Sequence, residues 1–310
     1  MKDTSTNSLR KQLIRYPQFE MLKNRLAETL NECQSTGIGK GMVIVGPSGV
    51  GKTTLLKVFV SEIDNRKSHV QAQKIVIIDV PSAPTPKSLA GAILAGMGDP
   101  FAFSARHSAE EKASRIQKLF AELRTEILIL DEGQHLADRS KRAQYQAADW
   151  LKNLLNITKV MVVITGLPRL VNFLHSNEQL RRRFSSSHSY LPFDASDPAS
   201  MRNFVGVLHA VHTQIPINCI SFTENDVARR FYLASFGLID YLVKIVDRAI
   251  QIASSAQRAE VHMGVLSQAF KDEIWSSVPA NRNPFDESFD MRPLTFTGEP
   301  FEGYVNGGMN

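Results

Sequence analysis

The sequence predicts an α/β protein with a three-layer αβα core around a parallel sheet, followed by a smaller helical domain. Four short runs rich in Val and Ile alternate with helical patterns, which is typical of buried parallel strands. They cover residues 42–45, 75–80, 127–130 and 160–165. After a further short run at residues 190–193, only helical patterns follow up to residue 277.

Length and composition describe a globular chain. Its 310 residues are enough for one large core with an appendage or for two modest domains, and 43% of them are hydrophobic. No apolar stretch approaches the ~20 residues that cross a bilayer, and the N-terminus lacks an apolar signal region. We therefore expect a cytoplasmic protein without membrane contact. The net charge of +5 favours a polyanionic partner.

The domain boundaries follow from changes in pattern along the chain. Apolar residues at helical spacing (Phe19, Leu22, Leu26 and Leu30) predict an N-terminal segment and helix over residues 1–40. Strands, turns and helix starts predict the core over residues 41–195; Thr85-Pro86 and Ser108 with Glu111 are two such starts. Residues 196–280 are predicted to form a helical lid.

The last thirty residues, 281–310, are rich in Pro and Gly and carry two basic against five acidic residues. This composition predicts a flexible acidic tail that does not belong to the fold. Its spaced aromatic residues suggest that it binds a protein partner, and the alternative is that this end of the chain is dispensable. They are Phe285, Phe289, Phe296 and Phe301.

A glycine-rich loop follows the first predicted strand and precedes a predicted helix. It fits the pattern G-x-x-x-x-G-K-[ST], in which backbone N–H groups and a helix N-terminus surround phosphate oxygens. Here the lysine is expected to neutralise the β- and γ-phosphates and the final hydroxyl to bind Mg²⁺. The predicted nucleotide-binding residues are Gly46, Pro47, Ser48, Gly49, Val50, Gly51, Lys52, Thr53 and the adjacent Thr54.

Two carboxylates end the third predicted strand. Asp131 is placed to hold Mg²⁺, and Glu132 to act as the general base on the attacking water. This pair indicates hydrolysis rather than binding alone. No Asn-Lys-x-Asp motif for guanine occurs in the sequence, which favours ATP over GTP.

Two further features complete the predicted site. Thr165, at the end of the fourth strand, either orients the attacking water or caps the turn before Gly166. Arg182 and Arg183 lie in a run of three arginines between Leu180 and Phe184. An arginine held there would reach the nucleotide of a neighbouring subunit, whereas the alternative is a solvated or nucleic-acid-contacting patch.

In order, these motifs resemble those of AAA+ ATPases and, more closely, the TniB/TnsC family of transposition regulators. The resemblance covers about residues 14–275 and rests on Arg15-Tyr16-Pro17, the phosphate loop, Asp131 to Leu136, Leu151 to Asn156, Thr165-Gly166, and Gln179 to Phe184. It implies a slow, regulatory ATPase that forms a ring or helical filament of identical subunits on double-stranded DNA. It also implies recruitment of a DDE transposase and a TniQ-like target selector.

The same resemblance assigns residue roles. It makes Lys52, Thr53, Asp131 and Glu132 nucleotide residues, Thr165 sensor 1, and Arg182 or Arg183 the arginine finger. The sequence departs from many AAA+ lids because no arginine begins the helix near residue 239, although Lys244 or Arg248 stands later in it.

Basic residues flank the acidic strand end on both sides in sequence. We expect them to contact DNA, and the alternative is that they are solvated helix faces paired with nearby glutamates. The candidates are Arg106, Lys112, Arg115, Lys118, Arg139, Lys141 and Arg142. Two other functions share the phosphate motifs: a replication-initiator or helicase-loader ATPase, and an ATP-dependent signalling switch that binds no DNA.

Overall fold

The computed structural model describes residues 14–64, 73–255 and 260–305. These residues form two compact units. The first, called here the sheet unit, contains residues 21–48 and the described residues of 52–190. The second, the helical unit, contains residues 14–20, 49–51 and the described residues from 191 onward.

A five-stranded parallel sheet forms the centre of the sheet unit. Its strands are β1 (Gly41–Val45), β2 (Ile75–Asp79), β3 (Ile127–Asp131), β4 (Met161–Gly166) and β5 (Phe184–Ser189). They lie in the order β2-β3-β4-β1-β5, and every pairing is parallel. The first four strands occupy the four predicted apolar runs, so the predicted α/β class is confirmed.

Helices follow the strands as the α/β pattern predicts. They are α1 (Pro17–Thr36), α2 (Lys52–Asp64), α3 (Pro86–Gly96), α4 (Ala109–Glu122), α5 (Gln134–Ala137), α6 (Lys141–Thr158), α7 (Val171–His175) and α8 (Glu178–Arg183), with a 3-10 helix at Pro168–Leu170. Both predicted helix starts are present as capping boxes. Thr85 exchanges hydrogen bonds with Ser88, and Ser108 with Glu111.

The fifth strand differs from its predicted position. The sequence predicts a strand at residues 190–193, whereas β5 is Phe184–Ser189, paired with β1 at the edge of the sheet. An edge strand has only one neighbour, so it can be polar. This strand reads Phe-Ser-Ser-Ser-His-Ser and therefore lacks the apolar run used to predict strands.

The helical unit contains α9 (Pro198–His212), α10 (Asn225–Ser235), α11 (Ile239–Ser255) and α12 (Met263–Glu273). It also contains two parallel strands of two residues each, β6 (Asn218–Cys219) and β7 (Glu260–Val261), so the expectation of helices alone is corrected. Within the described ranges, no helix has the length and apolar character that a bilayer crossing requires.

The C-terminal segment, defined here as residues 281–305, is packed within the helical unit. Phe285, Phe289 and Phe301 are buried, and Phe296 alone of its four phenylalanines is exposed. Phe301 stacks on Phe236 with the ring centroids 5.3 Å apart. The prediction of a tail outside the fold is therefore corrected for this segment; residues 306–310 lie outside the described residues. The segment follows a 3-10 helix (Ala280–Arg282) and ends with α13 (Glu302–Val305).

Arg282 is the centre of a buried ionic network in the C-terminal segment. Its guanidinium donates to Glu299 at 2.9 Å, to Asp290, and to the Pro293 carbonyl at 3.1 Å. Arg292 donates to the same Glu299 carboxylate at 2.7 Å. Burial raises the pKa of Glu299, but hydrogen bonds from Arg292, the Phe296 N–H and Arg282 outweigh it and hold the pKa below its ordinary value. The network fixes a stretch of chain that has little regular secondary structure.

Candidate nucleotide-binding site

The phosphate loop connects β1 to α2. Gly49 has φ +78° and Gly51 has φ +105°, backbone conformations that side chains rarely permit. At the start of the loop, the Gly46 N–H donates to the Gly166 carbonyl at the end of β4 (3.1 Å). The loop leads into the first turn of α2, whose free N–H groups favour an anion.

Lys52 is the cationic side chain of this loop. It is partly buried, and its Nζ donates to the carbonyls of Gly46 (2.7 Å) and Pro47 (2.9 Å). Burial lowers the pKa of Lys52, while the nearby carboxylates of Asp131 and Glu132 partly offset this effect. The predicted lysine and the predicted acidic pair are therefore brought together in the fold.

Asp131 ends β3 with one carboxylate oxygen already engaged. Its Oδ1 accepts hydrogen bonds from the buried Thr165 hydroxyl and from the Glu132 N–H (2.9 Å). Its Oδ2 accepts no hydrogen bond from the residues that the structure describes. This free carboxylate oxygen and the exposed hydroxyl of Thr53 are hard ligands of the type that Mg²⁺ prefers, so the donor set fits the ion.

Thr165 makes a contact that neither sequence-based alternative includes. Its hydroxyl donates to Asp131, the neighbouring strand's carboxylate, rather than capping the turn. Ile44 of β1 lies opposite Thr165 in the sheet register. Its role as sensor 1 stays a prediction, and the structure adds a direct connection to the predicted metal ligand.

Glu132 is exposed and has the left-handed backbone angle φ +55°. Its carboxylate accepts a hydrogen bond from the side-chain amide of Gln134. From sequence, Gln134 is only one residue of the family motif at Asp131 to Leu136, with no role of its own. The only signal was a polar residue two positions after the predicted base.

An ion pair at the end of α5 was also missed from sequence. Arg169 donates to Asp138 through two nitrogens, at 2.6 and 3.0 Å, and joins the end of α5 to the 3-10 helix after β4. The hydrogen bond from Arg169 holds the pKa of Asp138 below its usual value. His135 Nδ1 lies 4.0 Å from the same carboxylate.

The arginine run lies on α8 and is anchored as predicted. Leu180 and Phe184 on its two sides are buried. Arg182 is 76% exposed and pairs with Glu178 one turn earlier, at 2.7 Å. Exposed pairs of this kind contribute little to stability, so Arg182 can exchange this partner for a phosphate. Arg183 is partly exposed.

If Arg182 or Arg183 acts on a neighbouring subunit, its alanine variant should bind ATP normally but lose hydrolysis by about 100-fold or more. Mixing that variant with Lys52→Ala should restore some hydrolysis, because composite sites then combine an intact loop with an intact arginine. Steady-state ATPase assays over a range of mixing ratios measure this, with the exposed Arg229→Ala as control. If no ratio restores activity, the arginine acts within its own subunit or on DNA.

Two of the predicted DNA-contacting residues have partners within the protein. Lys112 is 3% exposed, its Nζ donates to the Ala102 carbonyl at 2.7 Å, and burial lowers its pKa. Arg115 donates to the carboxylate of Asp99 and lies over the Phe101 ring at 5.6 Å. Both charges brace the loop of residues 98–107. The burial of Lys112 corrects its assignment as a DNA contact. The side chain of Arg115 is 43% exposed, so its role as a DNA contact stays a prediction.

The other five candidates are exposed. Arg106 lies on the braced loop, which also presents the exposed side chains of Phe101 and Phe103. The remaining four lie on α4 and around the start of α6: Lys118, Arg139, Lys141 and Arg142.

Lys244 and Arg248 on α11 both have acidic partners. Lys244 pairs with Asp240 at 2.6 Å, and Arg248 donates to Asp272 at 2.6 Å. Either one would have to leave its carboxylate to act as sensor 2.

The sequence profile of the family described as bacterial TniB protein matches residues 6–191. The chain belongs to the TniB family. The match contains the phosphate loop, the Asp131-Glu132 pair, Thr165 and the arginine run. No curated protein sequence matches this TniB-family chain significantly.

Solved structures with the same fold include three proteins from two organisms. The Aeropyrum pernix ORC1 protein in complex with DNA is 19% identical with a TM-score of 0.63, and the match covers 87% of this chain and 67% of that one. The Aeropyrum pernix ORC2 protein, in ADPNP-ADP complexes, is 16% identical (TM-score 0.61, coverage 89% and 74%). CDC6P from Pyrobaculum aerophilum is 15% identical (TM-score 0.60, coverage 87% and 73%). The likeness confirms the predicted AAA+ fold.

Proposed function

We propose that this TniB-family chain is an ATP-hydrolysing regulator of transposition that assembles on double-stranded DNA. The observation that carries the proposal is the grouping of Lys52, at the start of α2, with Asp131 and Glu132, at the end of β3, in an AAA+ core. The ORC2 protein of the same fold, solved with ADPNP and ADP, supports a nucleotide in this site. Family membership supports the context of transposition.

In the proposed hydrolysis, the loop N–H groups and Lys52 bind and orient the triphosphate. Thr53 and Asp131 would hold Mg²⁺, which supplies positive charge to the β- and γ-phosphates. Glu132 accepts a proton from the attacking water. Arg182 or Arg183 of the adjacent subunit stabilises the charge of the transferred phosphoryl group, which makes hydrolysis dependent on a ring or helical filament.

The proposed DNA interface consists of Arg106, Lys118, Arg139, Lys141 and Arg142. These exposed cations would contact backbone phosphates, and the braced loop holds Arg106 in a fixed direction. Only the four-residue helix α5 and a short connection separate Glu132 from Arg139. The nucleotide state of the site and the affinity for DNA would thus be linked through one short stretch of chain. The ORC1 protein, solved with DNA, supports an interface on this fold.

The proposed partners are a DDE transposase and a TniQ-like target selector, which the family context supports. A role as a replication initiator or helicase loader is the second candidate, because the ORC1 and CDC6P structures share the fold. Capture of purified transposase by the ATP-bound protein on DNA separates the two. Capture of a replicative helicase instead would favour the second candidate.

DNA binding is tested by electrophoretic mobility shift of a duplex with ATP, with ADP and without nucleotide. The double variant Arg106→Ala/Arg142→Ala should weaken binding about 10-fold and reduce the slope of log K against log salt concentration by about 2. Lys57→Ala/Arg229→Ala removes the same charge from exposed positions elsewhere and should bind as the wild type does. Equal weakening in both variants would contradict the proposed interface. A mobility shift that is the same with and without ATP would contradict the proposed coupling between nucleotide state and DNA binding.

A further inference from the structure

Gln134 lies between the predicted base and the end of β4. It is 6% exposed, its Nε2 donates to Glu132 Oε2, and its Oε1 accepts from the Leu167 N–H at 3.2 Å. A backbone N–H can only donate, so the amide oxygen must face Leu167 and the amide nitrogen must face Glu132. Both ends of the side chain are therefore engaged in one defined orientation.

Two glycines allow this close approach. A Cβ on Gly166 would lie 2.7 Å from Gln134 Oε1, and a Cβ on Gly133 would lie 2.5 Å from the Ile164 side chain. The Gly133 N–H also donates to the Thr165 carbonyl at 2.7 Å. The segment after Glu132 is thus fixed directly against the end of β4, and Gln134 has little room to move.

We propose that Gln134 is a positioning residue for hydrolysis, which holds the Glu132 carboxylate in the orientation that accepts a proton from water. The side chain of Glu132 is exposed and has several rotatable bonds. The hydrogen bond from Gln134 restricts rotation about them. A displacement of about 1 Å at a reacting group can cost 100-fold in rate. Through Leu167, Gln134 also connects the base to the strand that carries Thr165.

The inference rests on the proposed ATPase function, and the test separates the two. Gln134→Met keeps the size of the side chain and loses both hydrogen bonds. Gln134→Glu keeps an oxygen for the Leu167 N–H but replaces the donor to Glu132 with a carboxylate that repels it. Single-turnover hydrolysis and nucleotide binding are measured for each variant, for Glu132→Gln and for the double variant Glu132→Gln/Gln134→Met.

Both Gln134 variants should hydrolyse ATP about 10- to 100-fold more slowly, with the Kd for ATP within about twofold of the wild type. In the Glu132→Gln background, Gln134→Met should add no further loss, because Gln134 acts through the carboxylate already removed. A merely structural role predicts the same fold-loss in both backgrounds.

Three outcomes would overturn the inference: unchanged hydrolysis in both variants, an undiminished effect in the Glu132→Gln background, or faster hydrolysis, which would make Gln134 a restraint. If circular dichroism shows that Gln134→Met does not fold, the test rests on Gln134→Glu, which keeps the Leu167 contact. Absence of hydrolysis by the wild-type protein, with and without DNA, would contradict the proposed function rather than the role of Gln134.

Discussion

Lys52→Ala should abolish ATP binding at ordinary concentrations, raising the Kd by at least about 100-fold. Lys52 is the cationic side chain of the phosphate loop, and charge-assisted hydrogen bonds to a phosphate are each worth about 1.5–3 kcal/mol. The two loop carbonyls that its Nζ now contacts would also lose their donor. Isothermal titration calorimetry with ATP and Mg²⁺ measures the change.

Lys57→Ala is the matched control for this prediction. Lys57 lies on the same helix, α2, is exposed, and its removal changes the net charge equally. Its Kd for ATP should stay within about twofold of the wild type. If Lys52→Ala binds ATP as tightly as Lys57→Ala does, the loop does not use its lysine to hold phosphate.

Arg282→Met should release the C-terminal segment from the rest of the helical unit. The side chains of Arg282 and Glu299 are each 8% exposed, and removing one member of a buried ion pair typically costs 3–5 kcal/mol. Because Arg292 still contacts Glu299, we expect about 3 kcal/mol, which corresponds to a fall of about 100-fold in amide protection. Hydrogen exchange over residues 283–305 measures it.

Arg202→Met, at an exposed arginine of α9, is the control and should leave this protection unchanged.

The ionic network around Arg282 also predicts a pH dependence. The folded-state pKa of Glu299 lies below its ordinary value of 4.5, so its contribution is present above about pH 4.5 and is lost as pH falls through the depressed value. Protection factors corrected for intrinsic exchange should thus be constant from pH 6 to 8 and fall in acid. A loss of protection between pH 6 and 8 would assign the segment's stability to other groups.

The core was predictable because its signals are local. Buried parallel strands are apolar on both faces, and each of the first four strands contains a continuous apolar run, such as residues 127–130 in β3. The phosphate loop carries its glycines and lysine in eight consecutive residues. Neither signal depends on distant parts of the chain.

The C-terminal segment was not predictable by these means. Its buried residues Phe285, Phe289 and Phe301 follow neither a helical nor a strand period, because they lie in turns and irregular chain. Their partners are aromatic residues of the helical unit such as Phe231, whose ring centroid lies 5.0 Å from that of Phe285. Composition alone therefore resembled that of a disordered tail.

Within the site, sequence identified the chemical groups but not their connections. The Thr165–Asp131 hydrogen bond joins residues 34 positions apart, and it depends on β3 and β4 being neighbours. Lys112 was predicted to be a surface cation of a helix because the folding of residues 98–107 over it leaves no local pattern. The hydrogen bonds that orient polar side chains are set by tertiary structure.

The left-handed backbone of Glu132 has a consequence for engineering. A non-glycine residue in this conformation costs about 1–2 kcal/mol, so Glu132→Gly would relax the main chain while deleting the carboxylate. Thermostability and turnover are therefore opposed at this position. Directed evolution that selects only for heat resistance would favour replacement of Glu132 by glycine. A library built from this protein therefore needs a simultaneous selection for ATP consumption.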